Sequence, residues 1–314
     1  MDIRRDDDIP PDLDGSAEAA AHALRRLDLS SSVSLLFVTL LLLPISFAYA
    51  SLLAFPFGSA RTPIVIVFFA LGFILFVRPI EAKLMRLFFK VQQPTEHQLQ
   101  RLLPVWSSVL SRSHVDGAKF VLAVDNSSVQ PNASAIGGHV VAVTAGAMNL
   151  PDDELAGILA HELGHHLGFH PFVLAMTSWL SLPLMVVATI ARFVIDMSVR
   201  IGVAGWWWLR LPLLTAIMFL VGLLFSLFAS VLRVVLWVTQ LVINLIGRSA
   251  EYTADHTAVQ LGFGSELLAA LESSAGQDAS LSQRTTLSAM LWDTHPPLRK
   301  RIARIGLALA VLED

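Results

Sequence analysis

The chain has 314 residues, a length that suits one or two domains. Hydrophobic residues make up 54% and charged residues only 15%, well below the roughly 25% charged of a typical soluble domain. A net charge of −3 gives no bulk attraction to nucleic acid, and the absence of cysteine excludes disulfides and thiolate metal sites, so any metal must be held by His, Asp or Glu.

The first segment, residues 1–30, opens on "MDIRRDDDIPPDLDGS". It is acidic and proline-bearing and is expected to be disordered, with "AEAAAHALRRLDL" forming a short amphipathic helix. Its acidic, delayed start argues against a signal peptide. No Asp, Glu, Lys or Arg occurs from Leu29 to Ala60, and Val33–Phe55 is long enough to cross a hydrocarbon layer of roughly 30 Å. After a turn around Gly58–Thr62, Pro63–Val77 is again uncharged, at about the minimum length for a span. Residues 31–90 therefore read as a transmembrane hairpin. Arg25 and Arg26 precede it, Arg78, Lys83, Arg86 and Lys90 follow it, and only Arg61 sits in its turn. The positive-inside rule then puts both ends in the cytosol.

Residues 91–170 read as water-soluble. "PTEHQLQRLLPVWSSVLSR" predicts a helix with Leu99, Leu102, Leu103 and Trp106 on one face. Lys119–Asp125 and His139–Thr144 are short and β-branched and read as strands; the segment between them is a turn-rich connection or an edge strand with a bend. Pro151, Asp152, Asp153 and Glu154 suit a helix N-terminus, and Gly168 and Pro171 are expected to end that helix.

Two more apolar runs, Pro171–Ala191 and Leu211–Leu232, read as a second transmembrane hairpin within residues 171–240. The expected loop carries Arg192, Asp196, Arg200 and Arg210, with a belt-like Trp206–Trp208 before the second run. The alternative is a buried helical hairpin in a soluble core. Residues 241–314 contain "RSAEYTADHTAVQLG", a helix stopped by Gly262, and "DTHPPLRKRIARIGLALAVL". The fold expected is an α-helical membrane protein with about four transmembrane helices and an α+β catalytic domain in two halves.

"GILAHELGHHLG" carries the chemistry. His161 and His165, four residues apart on a helix, put both imidazoles on one face, where they can share one ion. Glu162 lies one step round, placed to take a proton from a water that zinc has made more acidic. A catalytic zinc takes three protein ligands, so a third must come from elsewhere. Glu251 and Asp255 are also four apart on one helix face. Glu251 can reach the metal, and Asp255 can accept the second ring N–H of a ligand histidine, best His161. The alternative for the pair is a solvated face with Arg248 pairing to Glu251. His166 and His170 share a different face and are read as interfacial or hydrogen-bonded, and His256 as surface. His295, followed by two prolines, sits in a rigid extended segment; it either donates to the oxyanion of a tetrahedral intermediate or packs under the last helix.

"HELGHH", "RSAEYTAD" and "THPPLRKRI", in that order, resemble the membrane zinc metallopeptidases of the HtpX and CAAX prenyl protease 1 type, over roughly residues 95–310. "NASA" at Asn132–Ala135 and the strand after it resemble that family's segment ahead of the zinc helix, with Ser134 where the family usually has an aromatic. The resemblance implies a gluzincin, zincin-like core binding one Zn2+ per chain. It matches His161, His165 and Glu251 to the zinc ligands, Glu162 to the catalytic base, and His295 and Arg301 to late substrate or transition-state positions. An extended peptide is then expected along an edge strand near Asn132 and Ala133. The activity implied is an endopeptidase at the cytosolic face of a bacterial inner membrane, with both termini cytosolic. It would act on peptides or membrane proteins in quality control, within a lipid bilayer and without nucleic acid. Alternatives are a regulatory or CAAX-type processing protease and an inactive membrane scaffold.

Overall fold

A computed structural model describes residues 36, 38–74, 76–77, 79–81, 83, 91–278 and 296–313. The readings of residues 1–30, of Arg78, Arg86 and Lys90, and of His295 lie outside these residues.

The first apolar segment is helical. A π-helical turn, Val38–Leu42, leads into α1 (Leu43–Leu53); a bend at Phe55–Ala60, with Gly58 at φ +57°, returns the chain into α2 (Arg61–Ile74). Then come α3 (Glu96–Ser113), β1 (Val121–Asp125), β2 (Ala133–Ile136), β3 (Val140–Thr144) and α4 (Asp152–Leu167). The long α5 (His170–Trp207) and α6 (Pro212–Gln260) follow, then α7 (Gly264–Asp278) and α8 (Leu298–Glu313).

Local chemistry sets these bounds. Thr95 caps α3: its hydroxyl accepts from the Gln98 N–H, and the Gln98 side chain accepts from the Thr95 N–H. Leu102 and Trp106 are buried as expected, joined by Val105 and Val109, whereas Leu103 faces outward. Asp152, Asp153 and Glu154 occupy the first turn of α4, where carboxylates favour the helix dipole. Gly168 closes α4. Pro171, expected to help end it, instead lies in the first turn of α5, where its missing N–H costs nothing. The break between the two helices is Phe169, held left-handed at φ +55°.

The sheet has the order β1-β3-β2, with β3 parallel to β1 and antiparallel to β2. The two-way hydrogen bonding of Gln92 with Val124 covers the outer side of β1. The connection left open by the sequence is thus an edge strand. One core joins the sheet to α3, α4, α6, α7 and α8 through Leu102, Val109, Val141, Val143, Leu155, Leu159, Leu163, Ala258, Leu267 and Ile305. Leu155, Leu159 and Leu163 are fully buried, each contributing about 1.5–3 kcal/mol of transfer free energy, and they form the inward stripe of α4.

The loop expected between Arg192 and Arg210 is not there. α5 runs unbroken to Trp207, and the turn is confined to Trp208–Leu211. The reason is spacing. Arg192, Asp196 and Arg200 are exposed and lie four apart, so opposite charges sit over one another on one helix face. Near the turn, Gly202 and Gly205 are buried, and the Thr215 hydroxyl donates to the Gly202 carbonyl at 3.2 Å. α6 continues without a break through 49 residues, about 73 Å, from the apolar hairpin to the Glu251 region, so residue 241 lies within one helix. Among the described residues, three helices are long and apolar enough to cross a membrane: Phe55–Ile74, His170–Trp207 and Pro212–Leu241. The apolar helix Leu40–Leu53 is shorter.

One glycine decides how α4 meets α6. A β-carbon on Gly164 would lie 2.9 Å from the Ala254 Cα, closer than real side chains approach. Gly164 sits next to His165, and Ala254 next to Asp255. The missing side chain lets the two helices come close enough for His161 to meet Asp255 and His165 to meet Glu251.

Candidate metal centre

α4 and α6 face each other across this contact. From α4, His161 and His165 present their Nε2 atoms to one another at 3.1 Å. From α6, Glu251 places Oε2 3.6 Å from the first and Oε1 3.4 Å from the second. One donor atom from each of the three lies within 4.8 Å of the other two, and all three side chains are largely or wholly buried. The edges of a tetrahedron built on metal–nitrogen bonds of about 2.0–2.1 Å are about 3.3 Å long, and these separations bracket that value.

The surroundings fix the tautomers. Asp255 Oδ1 stands 2.9 Å from His161 Nδ1. A proton on that nitrogen leaves the Nε2 lone pair bare and aimed at His165. Two ring nitrogens converging with a carboxylate are what a shared cation requires, and the set of two imidazoles and one carboxylate suits zinc, with a position left for a reacting oxygen. The charge points the same way. Burial alone would lower the pKa of His165, but its hydrogen bond to Glu251 and the charges of Glu162 and Glu251 outweigh it, and the pKa is raised. The pocket favours positive charge. Burial would likewise raise the Asp255 pKa; hydrogen bonds from His161 and Arg301 hold it below the usual carboxylate range instead.

Glu162 points elsewhere. It is buried, and its Oε2 accepts the Ala135 main-chain N–H at 2.6 Å. It therefore ties α4 to β2. Ala135 N–H faces away from β3, so the free edge of β2 is the side turned toward Glu162. Asn132 lies at the start of this edge, exposed; its side-chain oxygen accepts from the Ala133 N–H at 2.9 Å, and its main chain is bonded to Thr144. Ala133 itself is buried.

Arg301, expected at the substrate, lies behind the donors instead. Its Nε and one terminal nitrogen grip Asp255 at 2.9 and 2.6 Å, and its other terminal nitrogen reaches Glu251 at 2.9 Å. This buried fork on α8 ties the third segment of the chain to α6, and it is 9% exposed. The spacing of Arg301 in sequence carried no sign of this role, because its partners lie on another helix. His166 is hydrogen-bonded as expected, its Nε2 lying 3.0 Å from the Val140 carbonyl, and burial pushes its pKa down to about 4, so it is a neutral strut between α4 and β3. His170 is buried, its ring centroid 6.0 Å from that of His165. His256 is exposed, as expected.

Comparison with known proteins gives the family. The pattern of peptidase family M48 matches residues 95–307. The chain is similar to a protease HtpX homolog of Tropheryma whipplei (strain Twist), 29% identical over 223 residues, which are 64% of this chain and 71% of that protein. Similarity to a protease HtpX homolog of Salinibacter ruber is 30% over 199 residues, 56% of this chain and 63% of that one. In three dimensions the chain resembles the crystal structure of S. mikatae Ste24p, with a TM-score of 0.51 at 19% identity. That match covers 90% of this chain but 66% of the Ste24p chain, and at this identity it speaks for the fold alone. The family match takes in α3, the sheet, both helices of the converging donors and most of α8, and by it the chain belongs to peptidase family M48.

Proposed function

We propose that the protein is a zinc-dependent endopeptidase working at the cytosolic face of a bacterial inner membrane, with segments of membrane proteins as substrates in a quality-control role. The convergence of His161, His165 and Glu251, with Glu162 alongside, carries this reading. In it these three residues hold one zinc. When bound, zinc supplies a Lewis acid that polarises the scissile carbonyl and acidifies a water.

The chain's own residues do the rest. Glu162 takes the proton from the attacking water and returns it to the leaving amine nitrogen as the peptide bond breaks. Asp255 holds His161 in the tautomer that leaves Nε2 free, and Arg301 offsets the buried charge of Asp255 and Glu251. An extended peptide lies along the free edge of β2 at Asn132–Ala135, held by main-chain hydrogen bonds. In this reading His295 serves the substrate or the oxyanion of the tetrahedral intermediate, the role that its His-Pro sequence implies. The apolar hairpins of residues 31–90 and 171–240 anchor the two catalytic halves, 91–170 and 241–314, to the bilayer. The positive residues flanking the first hairpin support a cytosolic site.

Casein cleavage by the full chain in detergent tests the reading. Cleavage is expected, with complete loss on chelation and recovery on adding zinc. Chelator-resistant cleavage, or none in zinc-replete protein, contradicts it.

A further inference from the structure

Glu81 lies seven positions beyond Ile74, the last residue of α2, and is 1% exposed. Its Oε1 accepts the main-chain N–H of Gly138 at 2.6 Å and that of His139 at 3.2 Å; its Oε2 is 2.8 Å from His139 Nδ1. All three groups belong to the tight turn joining β2 to β3. Gly137, in the same turn, adopts φ +61°, and a β-carbon there would collide with the Glu81 carboxylate. Gly137 therefore supplies both the left-handed turn and the room for the carboxylate.

A buried carboxylate is costly unless its lone pairs are filled, and an apolar side chain would pack at this junction without that demand. What the carboxylate adds is direction. Two oxygens holding two successive main-chain N–H groups and a ring nitrogen set the place of the turn. β2 is only four residues long and is paired with a strand on one side only, so its position depends on that turn. Three residues back along it, the Ala135 N–H holds Glu162 at 2.6 Å.

We propose that Glu81 is a positioning residue: the exit of the first apolar hairpin grips the β2–β3 turn and so sets the free edge of β2. The role rests on the peptidase reading, in which the substrate lies along that edge beside Glu162. The membrane hairpin is thereby a working part of the substrate groove as well as an anchor.

The test uses the full chain in detergent and combines amide hydrogen exchange over residues 133–139, zinc content, and kinetics on a casein-derived peptide. Glu81→Ala is expected to speed exchange across the turn and β2 and to lower kcat/KM, each by about tenfold, the kinetic loss falling mainly in KM with zinc content unchanged. Glu81→Gln keeps an oxygen for both N–H groups and stays within about twofold of wild type. If Glu81→Ala does not fold, His139→Ala, which removes one of the three contacts, carries the same test with a smaller effect. Wild-type exchange in the Ala variant overturns the latch. Faster exchange with unchanged KM overturns its role in positioning. A wild type without cleavage sinks the peptidase reading instead, and exchange then judges the latch alone.

Discussion

Glu162→Gln is expected to keep its zinc and lose cleavage. The amide has the size of the carboxylate and still offers an oxygen to the Ala135 N–H, so the edge of β2 stays in place. It cannot accept a proton from water. General base catalysis is worth about 10²–10⁴-fold, so kcat should fall by that factor, about 2.7–5.5 kcal/mol of barrier, with KM little changed. Zinc should stay because Glu162 is not among the three donors that converge. Activity close to wild type in this variant would remove Glu162 from the chemistry.

Glu251→Ala should lose both. Two imidazoles remain, and without the carboxylate the site has neither the third donor nor the negative charge that balances a divalent ion. Arg301 also loses a partner at 2.9 Å and is left with Asp255 in a buried place. Removing one member of a buried ion pair costs about 3–5 kcal/mol, so a lower melting temperature is expected beside the missing zinc. Glu251→Gln keeps the volume and separates the two effects: zinc affinity should still drop while stability recovers in part. Full zinc occupancy in both variants would mean that the third donor is another residue.

The two variants together divide the site into a part that binds and a part that reacts. Loss of cleavage alone for Glu162, and of cleavage with metal for Glu251, is a pattern that a general folding defect does not give.

The pairing of site residues within each helix is legible because helical periodicity turns sequence spacing into geometry. His161 with His165, and Glu251 with Asp255, are each four apart, and each pair lands on one face. That the two faces meet across Gly164 and Ala254 follows from close packing between distant helices, which spacing does not encode. Arg301 shows the limit most clearly. The family resemblance implies a substrate role for it, whereas its contacts are with the buried carboxylates of Asp255 and Glu251. The stretch 192–210 suggests a loop because its charges interrupt two apolar runs, although the four-residue spacing of Arg192, Asp196 and Arg200 is itself a helical pattern. Glu81 stands among the basic residues after the first hairpin. A lone acid there was the available sign, but its partners lie more than fifty residues away in a turn.

The central claim is that His161, His165 and Glu251 together hold one zinc. X-ray absorption at the zinc edge, on full-length protein loaded with one equivalent, tests it most directly. Two imidazoles and oxygen ligands around a single ion are expected, with one imidazole lost in His165→Ala. Zinc bound through fewer than two imidazoles in the wild type, or a wild-type spectrum unchanged in that variant, would contradict it.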